Sequence, residues 1–124
     1  MYRIAVLADK EQIGHNYANQ LISFCSKKGV FPQVEVYRNE KEFFYEIQIS
    51  PPTSALISLC GVAGLNVVEH LRALYPNCGI IWCSDLDFSL QAFRLRVEYF
   101  FMEPVENEKF QEGLSVWFER RRAI

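Results

Sequence analysis

Apolar runs and helical stripes alternate along the whole chain. Residues 3–8 (R-I-A-V-L-A) form an almost unbroken apolar run, the pattern of a strand buried on both faces of a parallel sheet. Asp9 follows where it can cap a helix over about residues 10–28, with Ile13, Tyr17, Leu21 and Phe24 on one face. Gly29 supplies the stop. Residues 34–37 make a second, short strand. Asn39 then caps a helix, with Glu42 three residues on as in a capping box and Phe43, Phe44 and Ile47 as its apolar side. Pro51-Pro52 ends that unit. A third strand is expected at 55–59, a loop at 60–63 and a helix at about 64–74, with Val67, Val68 and Leu71 inward and Pro76 just beyond. Residues 79–83 are a fourth strand. Asp85 or Asp87 starts a helix carrying Leu90, Ala92 and Phe93, residues 97–102 are a fifth strand, and about 107–121 form a last helix with Phe110, Leu114, Trp117 and Phe118 inward.

Strictly alternating strands and helices predict a doubly wound α/β sheet of five parallel strands with five helices, covered on both faces by right-handed crossovers. The flavodoxin-like order 2-1-3-4-5 suits this length. The functional rim of such a sheet lies at the carboxyl ends of its strands. Here that brings together Ala8 and Asp9, Ser58, Leu59 and Cys60, Ser84, and Glu103 with Pro104.

The bulk properties narrow the function. At 124 residues the chain fits a single domain over 1–124. Half its residues are hydrophobic and 23% are charged, which excludes disorder. A net charge of -2 gives no general attraction to nucleic acid, and Arg120-Arg121-Arg122 reads as a solvated helix end favoured by the helix dipole. With no signal peptide and no apolar stretch near the roughly 20 residues of a membrane span, a cytoplasmic protein is expected. Cys25, Cys60, Cys78 and Cys83 have no zinc spacing and read as reduced thiols, Cys60 being the one beside the rim. His15 and His70 read as surface or half-buried residues. No nucleophile–base pair or metal cluster points to an enzyme.

Four stretches, taken in order, carry a resemblance. Residues 2–11 (Y-R-I-A-V-L-A-D-K-E) look like an opening strand that ends at an acidic site. Residues 64–72 (G-L-N-V-V-E-H-L-R) look like the helix after a phosphorylation loop. Residues 79–84 (G-I-I-W-C-S) look like a fourth strand with its terminal Ser/Thr. Residues 92–105 are similar to an A-F-x-x-R-A-x-D-Y-L-x-K-P-I segment, Arg96 included. The chain thus resembles the receiver domains of bacterial response regulators in the CheY-like superfamily, in particular those of LytTR-type regulators.

That resemblance implies a phosphorylation site, and this sequence departs from it. The acidic pair is reduced to Asp9, with Ala8 in the other place. The acceptor aspartate is replaced by Ser58 or Leu59, in a loop about two residues short. Ser84 keeps the Ser/Thr position, while Glu103 stands where the family has the phosphoryl-binding lysine. A hydroxyl or alkyl side chain forms no acyl phosphate, and a carboxylate repels a phosphoryl group. Neither aspartyl phosphorylation nor a bound Mg²⁺ or other cofactor is therefore expected. Glu103 near Asp9 would pair two carboxylates, which raises one pKa or attracts a cation; the plain alternative is a Glu103 turned to solvent. Pro104 is kept, after a peptide that the family commonly has in the cis form. Phe100 holds the place of the aromatic that reports phosphorylation, and it also reads as ordinary strand core.

The expectation is a pseudo-receiver of two-component signalling that works by protein contact. It would serve transcriptional control, as the N-terminal part of a LytTR-type regulator or as its partner. Its contact surface, for a partner or for a homodimer, would be helix 4, strand 5 and helix 5, with Phe88, Arg94, Arg96, Tyr99, Phe100 and Trp117 as the residues to watch. No nucleic acid or membrane is expected to bind directly. The alternative is a small-ligand or metal sensor using the degenerate pocket.

Overall fold

A computed structural model describes residues 2–122, apart from the side chain of Arg122. The order is β1 (Arg3–Ala8), α1 (Glu11–Lys27), β2 (Gln33–Tyr37), α2 (Glu40–Ile49), β3 (Ser54–Ser58), α3 (Val62–Leu74), β4 (Gly79–Ser84), α4 (Ser89–Arg94), β5 (Tyr99–Met102) and α5 (Asn107–Arg122). All pairings are parallel, as the alternation predicts, and the strand order is β2-β1-β3-β4-β5, the order expected for this length.

Two cores lie on the two faces of the sheet. One gathers Leu7, Ile57 and Trp82 under α2 and α3, around Phe43, Val68 and Leu71. The other gathers Val6, Leu56 and Cys83 under α1 and α5, around Leu21, Phe110 and Trp117. Alternate residues of one strand feed opposite cores, which is why β1, β3 and β4 are apolar without interruption. Gly113 lets α5 lie directly on β5: a Cβ there would overlap the rings of Phe101 and Tyr99. Gly29 stands at φ 77° after α1, a conformation open to glycine at no steric cost.

Several boundaries differ from expectation for local reasons. Lys10, not Asp9, is the N-cap of α1, and it makes no side-chain cap bond; Asp9 reaches across the rim instead. On α1 the expected stripe holds at Tyr17, Leu21 and Phe24, whereas Ile13 is exposed. Asn39 caps α2 as expected, accepting from the Glu42 N–H at 3.1 Å. Strand β3 begins and ends one residue early, because Leu59 turns into the core under α3. Helix α3 begins at Val62, leaving a loop of only Leu59 to Gly61.

Helix α4 is short, and of its expected apolar residues only Ala92 faces inward. Leu90 is 57% exposed and Phe93 82% exposed. Strand β5 starts at Tyr99 because residues 95–97 complete the turn that ends α4: Leu95, Arg96 and Val97 N–H groups return to Gln91, Phe93 and Ala92. Arg96 closes that turn at φ 57°, a conformation that non-glycine residues rarely adopt.

The expected solvated tail is also corrected. Arg121 is largely buried, with Nη1 at 3.1 Å from Glu98 Oε2 and Nη2 donating to Asn77 O, while Arg120 donates to Glu98 O. The side chain of Arg122 lies outside the described residues.

Candidate functional site

In a parallel sheet every strand delivers its last residue to the same rim. Ala8 registers with Ser58, Ser58 with Cys83, and Ser84 with Met102, so the rim side chains come from adjacent strands. A cavity of about 390 Å³ opens above them. Asp9, Ser58, Cys60, Asp85, Glu103 and Pro104 line it on the strand side, and Asn16, Tyr17 and Gln20 on the α1 side. Ala8, Leu59 and Ser84 do not line it: all three are buried beneath. Of the two possible acceptor positions, Ser58 is thus the one that faces the cavity, and Leu59 belongs to the core.

Glu103 does not turn to solvent. Its Oε2 accepts a hydrogen bond from the Tyr17 hydroxyl at 2.6 Å and another from Ser58 Oγ at 2.9 Å. One carboxylate therefore ties the end of β5 to β3 and to α1. The Glu103 N–H continues the ladder to Ser84 O, and the Glu103-Pro104 peptide is cis. Burial raises the Tyr17 phenol well above its usual range; the neighbouring Cys83 thiol adds to this, and so does Glu103. The hydroxyl is thus held in its donor form. Cys83 is raised likewise, first by burial and then by the Glu103 charge.

Two further carboxylates hold the β3–α3 loop. Asp9 Oδ2 accepts from the Cys60 N–H at 3.2 Å, and Asp85 Oδ1 accepts from the Gly61 N–H at 2.8 Å. Successive backbone donors are met by side chains from different strand ends, which fixes a loop too short to satisfy itself. Cys60 lies beside the rim as expected and is exposed, and the Asp9 charge beside it raises its thiol pKa. Ser84 is a turn residue: its buried Oγ accepts from the Leu86 N–H at 3.1 Å. Asp87 accepts from both N–H and Oγ of Ser89 ahead of α4; these bonds lower its pKa.

On the expected contact face, Arg94 and Arg96 are exposed, while Phe88, Tyr99 and Phe100 are half-buried. Phe88 stacks on Trp82 with ring centroids 5.3 Å apart, and Phe100 meets the same indole edge-on at 5.2 Å. Trp117 is not on this surface. It is fully buried, and its indole N–H donates to Ser54 Oγ at 3.0 Å. What the face does present is Leu86, Leu90, Phe93 and Met102. His15 is exposed beside Glu11, and His70 stacks on Phe44 at 4.4 Å.

Sequence reasoning missed three features. Tyr17 read only as a core residue, yet a phenol on an apolar helical stripe needs a polar partner for its tip, which is the signal that could have marked it. Asp85 read as a helix start. The buried ion network of Arg72, Glu98 and Arg121 was not foreseen.

Protein-family models give no match to this sequence, and neither do curated proteins. Solved structures do match. A response-regulator receiver domain protein from Clostridium thermocellum superposes with a TM-score of 0.75 at 14% identity, over 99% of this chain and 98% of that one. A CheY-like receiver domain protein from Methanospirillum hungatei JF-1 gives 0.72 at 16% identity, over 99% and 98%. HP1043, an orphan response regulator of H. pylori, gives 0.69 at 14% identity, over 97% and 95%. No helix among the described residues is long and apolar enough to cross a membrane. The fold of this chain is that of response-regulator receiver domains.

Proposed function

We propose that this chain is a pseudo-receiver: a regulatory module that acts through protein contact and does not use aspartyl phosphorylation. The observation that carries the reading is the Glu103 bridge. At the end of β3 stands a serine, and its hydroxyl is already engaged by a carboxylate from β5. A receiver links these two strand ends when a phosphoryl-aspartate meets a lysine; here a fixed hydrogen bond of reversed polarity spans the same gap. The other carboxylates are engaged too, Asp9 with Cys60 and Asp85 with Gly61, and Ala8 offers no ligand. Among the described residues no group of three or more His, Cys, Asp or Glu side chains is placed to hold a metal ion.

The contact surface is the α4–β5–α5 face, where exposed Leu90 and Phe93 lie beside Arg94 and Arg96. The partner is a second copy of the chain or another regulator. The A-F-x-x-R segment at residues 92–96 supports a place with a LytTR-type regulator, as its N-terminal part or as a separate partner. Sedimentation velocity over a concentration series tests this reading. The mass distribution, alone or with a partner, should be unchanged by acetyl phosphate with Mg²⁺ and shifted to smaller species by Phe93→Glu. A phosphodonor-dependent shift overturns it.

The rim cavity supports a second reading, a small-ligand sensor. Asn16 and Gln20 line that cavity together with the engaged carboxylates. A ligand-dependent rise in Tm would favour it.

A further inference from the structure

The strands all begin at the end of the sheet opposite the rim, and charge is distributed very differently there. A second cavity, of about 370 Å³, lies where α3 ends, β4 begins and α5 passes. Three arginines line it, Arg72, Arg96 and Arg121, against a single acidic residue, Glu98. The chain as a whole carries a net charge of -2, so this is a local reversal of sign.

Arg72 supplies a fixed charge, and backbone carbonyls take four of its five N–H donors. Its Nε donates to Leu95 O at 2.8 Å, Nη1 to Cys78 O at 2.6 Å and Pro76 O at 3.0 Å, and Nη2 to Arg96 O at 3.0 Å. Its Nη2 also lies 3.7 Å from Glu98 Oε1. Burial lowers the Arg72 pKa, Glu98 opposes that, and Arg96 and Arg121 lower it further. The three cations thus repel one another across the cavity. Arg121 gives Nη1 to Glu98 and Nη2 to Asn77 O, and each nitrogen keeps a second hydrogen. Arg96 is exposed and lines the same cavity.

We propose that this cavity binds the phosphate group of a small molecule. Residues that carry donors line it from three elements: Arg96 from the α4–β5 turn, Arg121 from α5 and Asn77 from the α3–β4 turn. A tetrahedral group accepts from several directions at once, whereas a planar carboxylate is satisfied by one guanidinium fork. Three guanidinium groups against one carboxylate leave an excess of two positive charges, which a phosphate of about -1.5 to -2 matches. In the turn after α3, the carbonyl groups of Tyr75, Pro76 and Cys78 are taken up by Arg72.

An NMR titration of the intact chain tests the site with inorganic phosphate, glycerol 3-phosphate, acetate and sodium chloride at matched ionic strength. Saturable shifts are expected at the Asn77 and Arg96 amides with the two phosphates. Arg96→Gln, at an exposed position, should weaken them about tenfold, the worth of one charge-assisted hydrogen bond. Arg121→Lys keeps the charge facing Glu98 and loses the fork, so it should weaken binding as well while the spectrum stays folded. Glu103→Gln at the rim should leave the titration unchanged, which keeps this result separate from the phosphorylation reading. Tighter binding of the ester identifies an organic phosphate, and equal binding identifies free phosphate. Shifts that acetate or chloride reproduce, or an Arg96→Gln titration identical to the parent's, overturn the proposal.

Discussion

Strand β5 is bracketed by two glutamates that hold it in different ways. Glu98, just before the strand, is nearly enclosed. Its Oε1 accepts from the Ile80 N–H at 3.0 Å, its Oε2 pairs with Arg121, and Arg72 lies 3.7 Å away. Glu103, just after the strand, borders an open cavity and is met by two neutral hydroxyls. At the first end charge answers charge away from water, so losing one partner strands the other. At the second end each loss is one hydrogen bond, and water can take its place. The edge strand is therefore held most firmly at the end remote from the rim. The rim contributes a bridge of modest strength whose importance is chemical, since it engages the one hydroxyl that β3 turns toward the cavity.

The largest effect should come from Arg72→Ala. It leaves Glu98 short of a cation and the carbonyls of Pro76, Cys78, Leu95 and Arg96 without their donor. Breaking one side of a buried pair costs about 3–5 kcal/mol, readable from urea unfolding. A loss no greater than that of a rim variant would erase the contrast between the two ends. Next is Glu103→Ala, which should cost about 1–2 kcal/mol for two hydrogen bonds, with Glu103→Gln recovering much of it through the retained acceptor.

Arg96→Gly should act in the other direction. It relieves a positive φ of 57°, and a gain of up to about 1 kcal/mol is expected. A loss would mean that the Arg96 side chain contributes more to the fold than its backbone conformation costs. The smallest effect concerns reactivity. Asp9 holds the Cys60 thiol up, so Asp9→Asn should lower that pKa and raise the thiolate fraction at pH 8. Iodoacetamide should then label Cys60 roughly two- to fivefold faster. Cys25, Cys78 and Cys83 should stay unlabelled in the native state, because all three are buried.

These contrasts also show which parts of the molecule could be read from the sequence. Apolar strands flanked by amphipathic helices specified the sheet and most inward residues, because burial on two faces leaves a periodic record, whereas the strand order came from the fold class that suits this length. Trp117 illustrates both sides of this. Its position on the inward stripe of α5 was legible, and placing it also on the contact face contradicted that same stripe. Boundaries moved where long-range bonds prevailed over local pattern: Asp9 left its cap position for the Cys60 N–H, and the turn after α4 was fixed by Arg72 from another helix. At the site, Ala8, Ser58 and Glu103 were plain in one dimension as departures from the pattern the chain resembles. Their consequence was not, because the Glu103 bridge joins residues 45 and 86 positions away along the chain. Nor did the sequence pattern announce Arg72: a charge next to an apolar stripe looks like a helix edge until its carbonyl partners are known.

The most direct test of the central claim is intact mass spectrometry of the purified chain after incubation with acetyl phosphate and Mg²⁺. With a serine rather than a carboxylate at the end of β3 and its hydroxyl held by Glu103, the mass should remain that of the unmodified protein. A hydrolysable gain of one phosphoryl group would contradict the account.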